Sequence, residues 1–341
     1  MEKKVVLKNI GLILLVFLIA KIGDRFLNIY LRNILNLAGI YVILALSLNL
    51  INGFTGLFSL GHAGFMAIGA YVTAIFIMPQ AVKDQNFFTV PMMDFLYHLQ
   101  APLPVALVIS GILAALFGFI IAFPVLRLRD DYLAIASLGF AEIIRIFILN
   151  MPSVTNAALG LTAIPRPTTM AWTWVIAAIT FVLLSMLIRS SYGKAIIAIR
   201  EDEVAAVSMG VRVFRTKLIS FCVGSFFAGV GGGLLATHMG TIDAKTFTFT
   251  LTFNILLMVV LGGMGSLKGS VIAALIITYG QEWLRFLDEP ISIGSLHMPA
   301  MPGLRMVVFS LLLMFVVIFK KEDNSFRKNI RKAGGTIAKG E

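Results

Sequence analysis

Charge is what this chain has least of. Asp, Glu, Lys and Arg make up 13% of its 341 residues, whereas hydrophobic residues make up 59%, and the mean hydropathy is +0.94. A soluble domain of that length could not remove so much apolar surface from water. One cysteine, Cys222 in an apolar run, excludes a disulfide framework. The histidines, His62, His98, His238 and His297, are scattered without ligand spacing, so no metal site is expected. A phosphate-cradling loop is also missing: Gly193-Lys194 is followed by Ala195 and has no glycine five residues before it. Nor does Ser59 beside His62 suggest a catalytic triad, because both begin an apolar run where the serine reads as an N-cap. The chain is therefore expected not to be an enzyme and to hold no cofactor of its own. Polar gaps of only about 20–30 residues leave no room for a second, soluble domain.

What remains is apolar sequence in runs long enough to cross about 30 Å of hydrocarbon. Ten such runs fall at 5–20, 34–52, 58–78, 103–126, 131–150, 172–188, 217–236, 250–265, 269–287 and 303–319. They predict an all-α polytopic membrane protein: one transmembrane domain over residues 1–320 and a basic, disordered tail over 321–341. With the N-terminus inside, the cytoplasmic segments hold 19 of the 28 basic residues and the outer segments hold 6. This asymmetry places both termini in the cytoplasm. It also explains the net charge of +11 as a topology signal, so no nucleic acid is expected as a partner. The first run reads as a retained helix, since no small residue stands three before Ala20 to suit signal cleavage. Residues 24–35 put Phe26, Ile29, Tyr30 and Ile34 on one face and predict an interfacial helix.

Three groups of residues stand out. Small residues recur at helical spacing, Ala63 with Ala67, and Ser225 with Gly229 and Gly233, the pattern of closely packed membrane helices. Glu142 and Arg145 lie three apart inside an apolar run, where charge is costly unless paired or wet. They form either a structural strut or a lining of a translocation path. Asn156, Gly160 and Thr162, in the outer loop TNAALGLTAIP, are candidates for the mouth of that path.

The loop at 190–216 is the one charged insert between apolar runs. Glu203 to Gly210 predicts a short helix with a C-terminal glycine cap. Ala205 and Ala206 would offer a low-profile face to a soluble partner, with Arg200, Glu201 and Asp202 on its rim. The same pattern also suits a solvated amphipathic loop.

A resemblance decides between them. The E-x-A-A-x-x-x-G arrangement of Glu203, Ala205, Ala206 and Gly210 resembles the coupling motif of ABC-importer permeases. Five further segments, SLNLINGFTGLFSLGHAGFMAIGAY (47–71), LRLRDDYLAIASLGFAEIIR (126–145), YGKAIIAIREDEVAA (192–206), TKLISFCVGSFFAGVGGGL (216–234) and VVLGGMGSLKGSV (259–271), resemble the LivM-type permeases of branched-chain amino acid importers. The resemblance implies a subunit of the bacterial cytoplasmic membrane that works with a second, homologous permease, two ATPase subunits that use the ATP, and an extracytoplasmic binding protein. It implies leucine, isoleucine and valine as cargo. Two alternatives stay open: a permease for urea, short amides or another small polar solute, and a self-sufficient secondary transporter or channel with Glu142 as an ion-coupling carboxylate.

Overall fold

Apolar segments of this length close their backbone hydrogen bonds internally, and helices are the result. The computed structural model describes residues 2–128, 130–285, 291–293, 296–298, 308 and 311. Its residues group into two units, 1–275 and 276–341.

In the first unit, α1 (Glu2–Phe26) is followed, after a break at Leu27 and Asn28, by α2 (Ile29–Leu48). A π-helical turn (Asn49–Phe54) extends α2. An extended stretch then leads into α3 (His62–Ile77), α4 (Gln80–Asn86), α5 (Asp94–Tyr97) and α6 (Leu103–Val125). Next come α7 (Asp130–Leu149), α8 (Pro152–Thr155), a single 3-10 turn (Ala157–Leu159) and α9 (Met170–Arg189). The charged loop contributes α10 (Ser191–Glu201) and α11 (Glu203–Ser208), before α12 (Val213–Met239), α13 (Phe249–Gly262) and α14 (Leu267–Trp283). The described part of the second unit holds the end of α14 and a small antiparallel hairpin, β1 (Ile291–Ile293) with β2 (Leu296–Met298).

Among the described residues, five helical stretches are long and apolar enough to cross a membrane: 29–54, 103–125, 132–149, 170–189 and 213–239. His62–Ile77 and Phe249–Gly262 are apolar but shorter. The chain is thus a helical, multi-pass membrane protein. Helices lie on every expected run up to 269–287. The run at 303–319 falls outside the described residues apart from positions 308 and 311, and the tail at 321–341 falls outside them altogether.

Two expectations need correcting. Residues 24–35 do not make a separate interfacial helix: α1 continues through Phe26 and α2 starts at Ile29, so the segment is divided between them. Ser59 does not cap α3. Gly61 holds the cap position without a side-chain bond, and Ser59 Oγ instead accepts from the Gly61 amide at 3.4 Å.

Helices α3, α6 and α12 form the centre, with α2 beside them. Lipid tails are as apolar as leucine, so burial alone does not hold such helices together, and close packing must. A Cβ on Gly69 of α3 would fall deep inside the Gly229 carbonyl of α12. On the other side of Gly229, a Cβ would meet Ala114 Cβ at 2.5 Å and Ser110 O at 2.8 Å on α6. One glycine of α12 thus lets two neighbouring helices approach at once. Ser225 contacts α6 where a Cβ on Gly118 would meet its Oγ at 2.5 Å, and Gly233 faces Thr73 and Leu107. Ala63 and Ala67, each 1% exposed, lie on the buried side of α3. Phe65 and Phe221 close the α3–α12 contact edge to face, centroids 5.6 Å apart.

Candidate functional site

The charged loop at 190–216 is built from two capped helices. Ser190 accepts from the Gly193 amide at 3.2 Å and starts α10, whose Gly193, Ile196 and Ile199 are buried. Tyr192 donates to the Thr216 carbonyl at 3.2 Å, fastening α10 to the foot of α12, and burial pushes its phenol pKa up. Asp202 then caps α11 by accepting from the Ala205 amide at 3.0 Å. At the far end the Val211 amide returns to Ala206 O at 3.0 Å and the Gly210 amide to Val207 O at 2.9 Å. Gly210 stands between them at φ +81°, so the pair of bonds makes a Schellman termination.

α11 presents a different face from the one expected. Ala206, placed outward with Ala205 in the sequence reading, is 3% exposed and packs against the chain's own helices. Successive residues on a helix stand about 100° apart, and here that step takes the chain from exposed Ala205 to buried Ala206. The outward positions are instead Val204, Val207 and Met209, which are 77%, 57% and 85% exposed, with Ala205 beside them. Val204 and Val207 lie on α11 itself and Met209 is its C-cap.

Glu203 and Arg200 are both engaged by other parts of the chain. Glu203 Oε2 accepts from Lys217 Nζ at 2.6 Å, which ties α11 to α12. Arg200, expected on the rim, pairs with the neighbouring Glu201 and also donates from Nη1 to the Gly53 carbonyl at 2.9 Å. Sequence reasoning missed Lys217, Gly53 and the Val204–Val207–Met209 surface. For Val204 and Val207 a signal existed, since they stand three apart, at helical spacing. For Gly53 there was none, because it lies 147 residues away in sequence.

The candidate path residues occupy α7 and the loop after it. Glu142 and Arg145 are paired, Nε to Oε2 2.6 Å, with side chains 40% and 26% exposed. Asn156 adopts φ 59° and its amide donates to the Gly160 carbonyl at 2.8 Å. Gly160, at φ 68°, passes so close to Ile242 O that a side chain would collide. Thr162 donates its amide to Asn86 Oδ1 at 2.7 Å, and Asn86 Nδ2 returns to Thr162 O at 2.9 Å. An isolated bridge between Leu161 and Ile242 completes this arrangement. The loop after α7 is therefore pinned to α4 and to the segment following α12.

A multi-pass helical bundle carrying a charged loop of two capped helices is the setting in which comparison with known proteins places a membrane permease. The chain belongs to the family described as branched-chain amino acid transport system / permease component, whose family model matches residues 30–317. It is similar to the high-affinity branched-chain amino acid transport system permease protein LivM of Escherichia coli (strain K12), 35% identical over 291 residues, 75% of this chain and 64% of that protein. It is also similar to the probable branched-chain amino acid transport permease protein LivM of Methanocaldococcus jannaschii, 26% identical over 83% of this chain and 89% of that one. A third relative is the permease protein LivH of Salmonella typhimurium, 24% identical over 72% of this chain and 82% of that one. The match to the Escherichia coli relative thus spans less than two thirds of that protein's length. No solved structure matches the chain.

Proposed function

We propose that this chain is the permease subunit of an ABC importer for branched-chain and related hydrophobic amino acids, set in the bacterial cytoplasmic membrane with ten spans and both termini inside. A homologous second permease completes the translocation path. Two ATPase subunits dock on α11 and supply the energy, and an extracytoplasmic binding protein delivers cargo. Nucleotide binding closes the ATPase pair, α11 moves with it, and the spans alternate between outward and inward access. Membership of the family supports the class, and the names of the relatives support the cargo. The observation that carries the coupling role is the outward apolar surface of Val204, Val207 and Met209 on a helix whose own charges are already engaged. The excess of basic residues in the inner segments supports the orientation. Glu142 is held by Arg145, which favours this reading over an ion-coupled transporter that would need a free carboxylate.

The test is co-purification with the ATPase subunits, followed by leucine uptake in proteoliposomes. Met209→Glu, which puts a charge at the exposed apolar end of α11, should abolish ATPase association and reduce uptake more than tenfold. Full association and uptake in that variant would remove the docking role.

A further inference from the structure

Arg200 does more than decorate the loop. Its guanidinium sits where three parts of the chain meet: the end of α10, the π-helical turn after α2, and the turn at 263–266 between α13 and α14. The carbonyl of Gly53 is one of those left without an intrahelical partner at the end of the α2 helix, and Arg200 Nη1 satisfies it at 2.9 Å. A cation at that end also suits the helix dipole. Two glycines with left-handed backbones make the space. A Cβ on Gly56, at φ +77°, would stand 2.9 Å from Arg200 Cγ, and one on Gly265, at φ +82°, would stand 2.5 Å from Arg200 Nη1. Asn49, inside the π-helical turn and fully buried, holds the same 263–266 turn from the other side. Its Oδ1 accepts from the Gly265 amide at 2.9 Å, and its Nδ2 donates to Ser266 O at 3.0 Å and Ser270 Oγ at 2.7 Å.

We infer that Arg200 is a positioning residue that transmits movement of the docking helix into the membrane core, through the glycine-lined cradle of Gly53, Gly56 and Gly265. Only one residue separates α10 from α11, and Asp202 is both the last cap of one and the first of the other. A displacement of α11 therefore displaces Arg200. The guanidinium then pulls on the end of α2 at Gly53, and it bears on the turn that leads into α14. A π-helical turn carries one residue more than an α-turn and frequently occurs at functional sites. It can be drawn out or taken up without unfolding α2, which precedes it. A second tie, Glu203 to Lys217, moves α12 with α11, so the loop helix controls two central elements by separate contacts. Arginine suits the cradle because its planar fork can serve Gly53 and Glu201 together, which a lysine ammonium cannot do in the same geometry.

This inference rests on the reading of α11 as the docking helix, and the experiment keeps the two apart. The assembled transporter is reconstituted in proteoliposomes, and ATP hydrolysis and leucine uptake are measured together. Alongside, a spin label at the exposed position Ile272 of α14 reports any response to ATP binding without depending on the cargo. For Arg200→Gln, assembly and ATP hydrolysis should stay within twofold of wild type, while leucine moved per ATP falls at least tenfold and the Ile272 label stops responding to ATP. Arg200→Lys should recover part of both. Gly265→Ala, which crowds the guanidinium from the other side, should move both readouts in the same direction as Arg200→Gln. A normal ratio of leucine to ATP together with a normal label response in Arg200→Gln overturns the inference while leaving docking intact. Loss of ATPase association in both Arg200→Gln and Arg200→Lys also overturns it, since Arg200 would then belong to the docking surface. Met209→Glu, measured in parallel, reports on docking alone.

Discussion

Lys217 and Glu203 form an ion pair of 2.6 Å that joins the foot of α12 to the first residue of α11. Lys217 is the more enclosed partner, its side chain 11% exposed against 48% for Glu203. Solvent screens the glutamate side, so the pair itself contributes only about 0.5–1 kcal/mol. Removing one partner has unequal effects. Glu203→Gln leaves a nearly buried ammonium with a weaker acceptor, whereas Lys217→Met leaves a carboxylate that water can reach. The glutamine variant should therefore melt lower than the methionine variant, and a double-mutant cycle on thermal unfolding in detergent should return a coupling of about 0.5–1 kcal/mol. A cycle that closes to zero would mean that the pair holds nothing together.

Gly210 can be tested separately from its surroundings. No atom lies within 4 Å of where its Cβ would stand, so a substitution there meets only a backbone penalty at φ +81°. That penalty is roughly 1–2 kcal/mol for most side chains and smaller for asparagine. Gly210→Val should loosen the end of α11 and speed hydrogen exchange at the Val211 amide, which bonds back to Ala206 O. Gly210→Asn should leave that amide protected. Equal protection in both variants would show that the helix does not depend on its left-handed cap.

How much of this could be read beforehand depends on the range over which each signal acts. Apolar runs and caps are local, so the helices at 103–125, 170–189 and 213–239 fell close to their expected bounds. Gly210 was legible for the same reason. The orientation of α11 was half legible: the Ala205–Ala206 pair was visible, but which alanine faces inward depends on α12. The break at Leu27 and Asn28 left no mark in the apolar pattern, so a third element was expected where two helices meet. The π-helical turn has no period of its own to detect. Arg200 was seen as a rim charge because its partners, Gly53, Gly56 and Gly265, come from segments far away along the chain. Glycine-dense sequence around those positions signalled close backbone approach without saying what approaches.

Lys83 supplies a test on the opposite side of the protein. It is 1% exposed, and its ammonium donates to three carbonyls at the end of α5 and just past it: Leu96 at 2.8 Å, Tyr97 at 3.1 Å and Leu99 at 2.6 Å. Leu96 O also accepts from the Leu99 amide, at the longer distance of 3.3 Å, so the ammonium is its closer donor. Lys83→Met keeps the apolar stem and removes the donors, which should cost the outer segment on the order of 2 kcal/mol. Limited proteolysis between residues 87 and 102 should then become several-fold faster. Lys83→Arg should lie between. Unchanged cleavage in Lys83→Met would show that the carbonyls are satisfied without it.

Glu142 and Arg145 present the sharpest choice. Their contact, 2.6 Å, lets the pair neutralise itself within one turn of α7, and partial exposure, 40% and 26%, places them on the outward side of that helix rather than in the α3–α6–α12 centre. A charge left alone at the centre of a membrane-spanning helix costs about 10–17 kcal/mol on simulation scales and about 2.5–3.5 kcal/mol on insertion scales. A fully buried pair would lose 3–5 kcal/mol on removing one partner, and these half-exposed groups should lose less. If the pair is a strut, Glu142→Gln and Arg145→Met should each lower abundance in the membrane, and the double variant should recover most of it with transport intact. If the pair lines the path, both singles should stay abundant and lose uptake, and the double should remain inactive. The self-contained geometry favours the strut, because neither charge needs a substrate to be neutralised. Abundance and leucine uptake measured in the two singles and the double separate these outcomes, and normal values in all three would leave the pair with neither role.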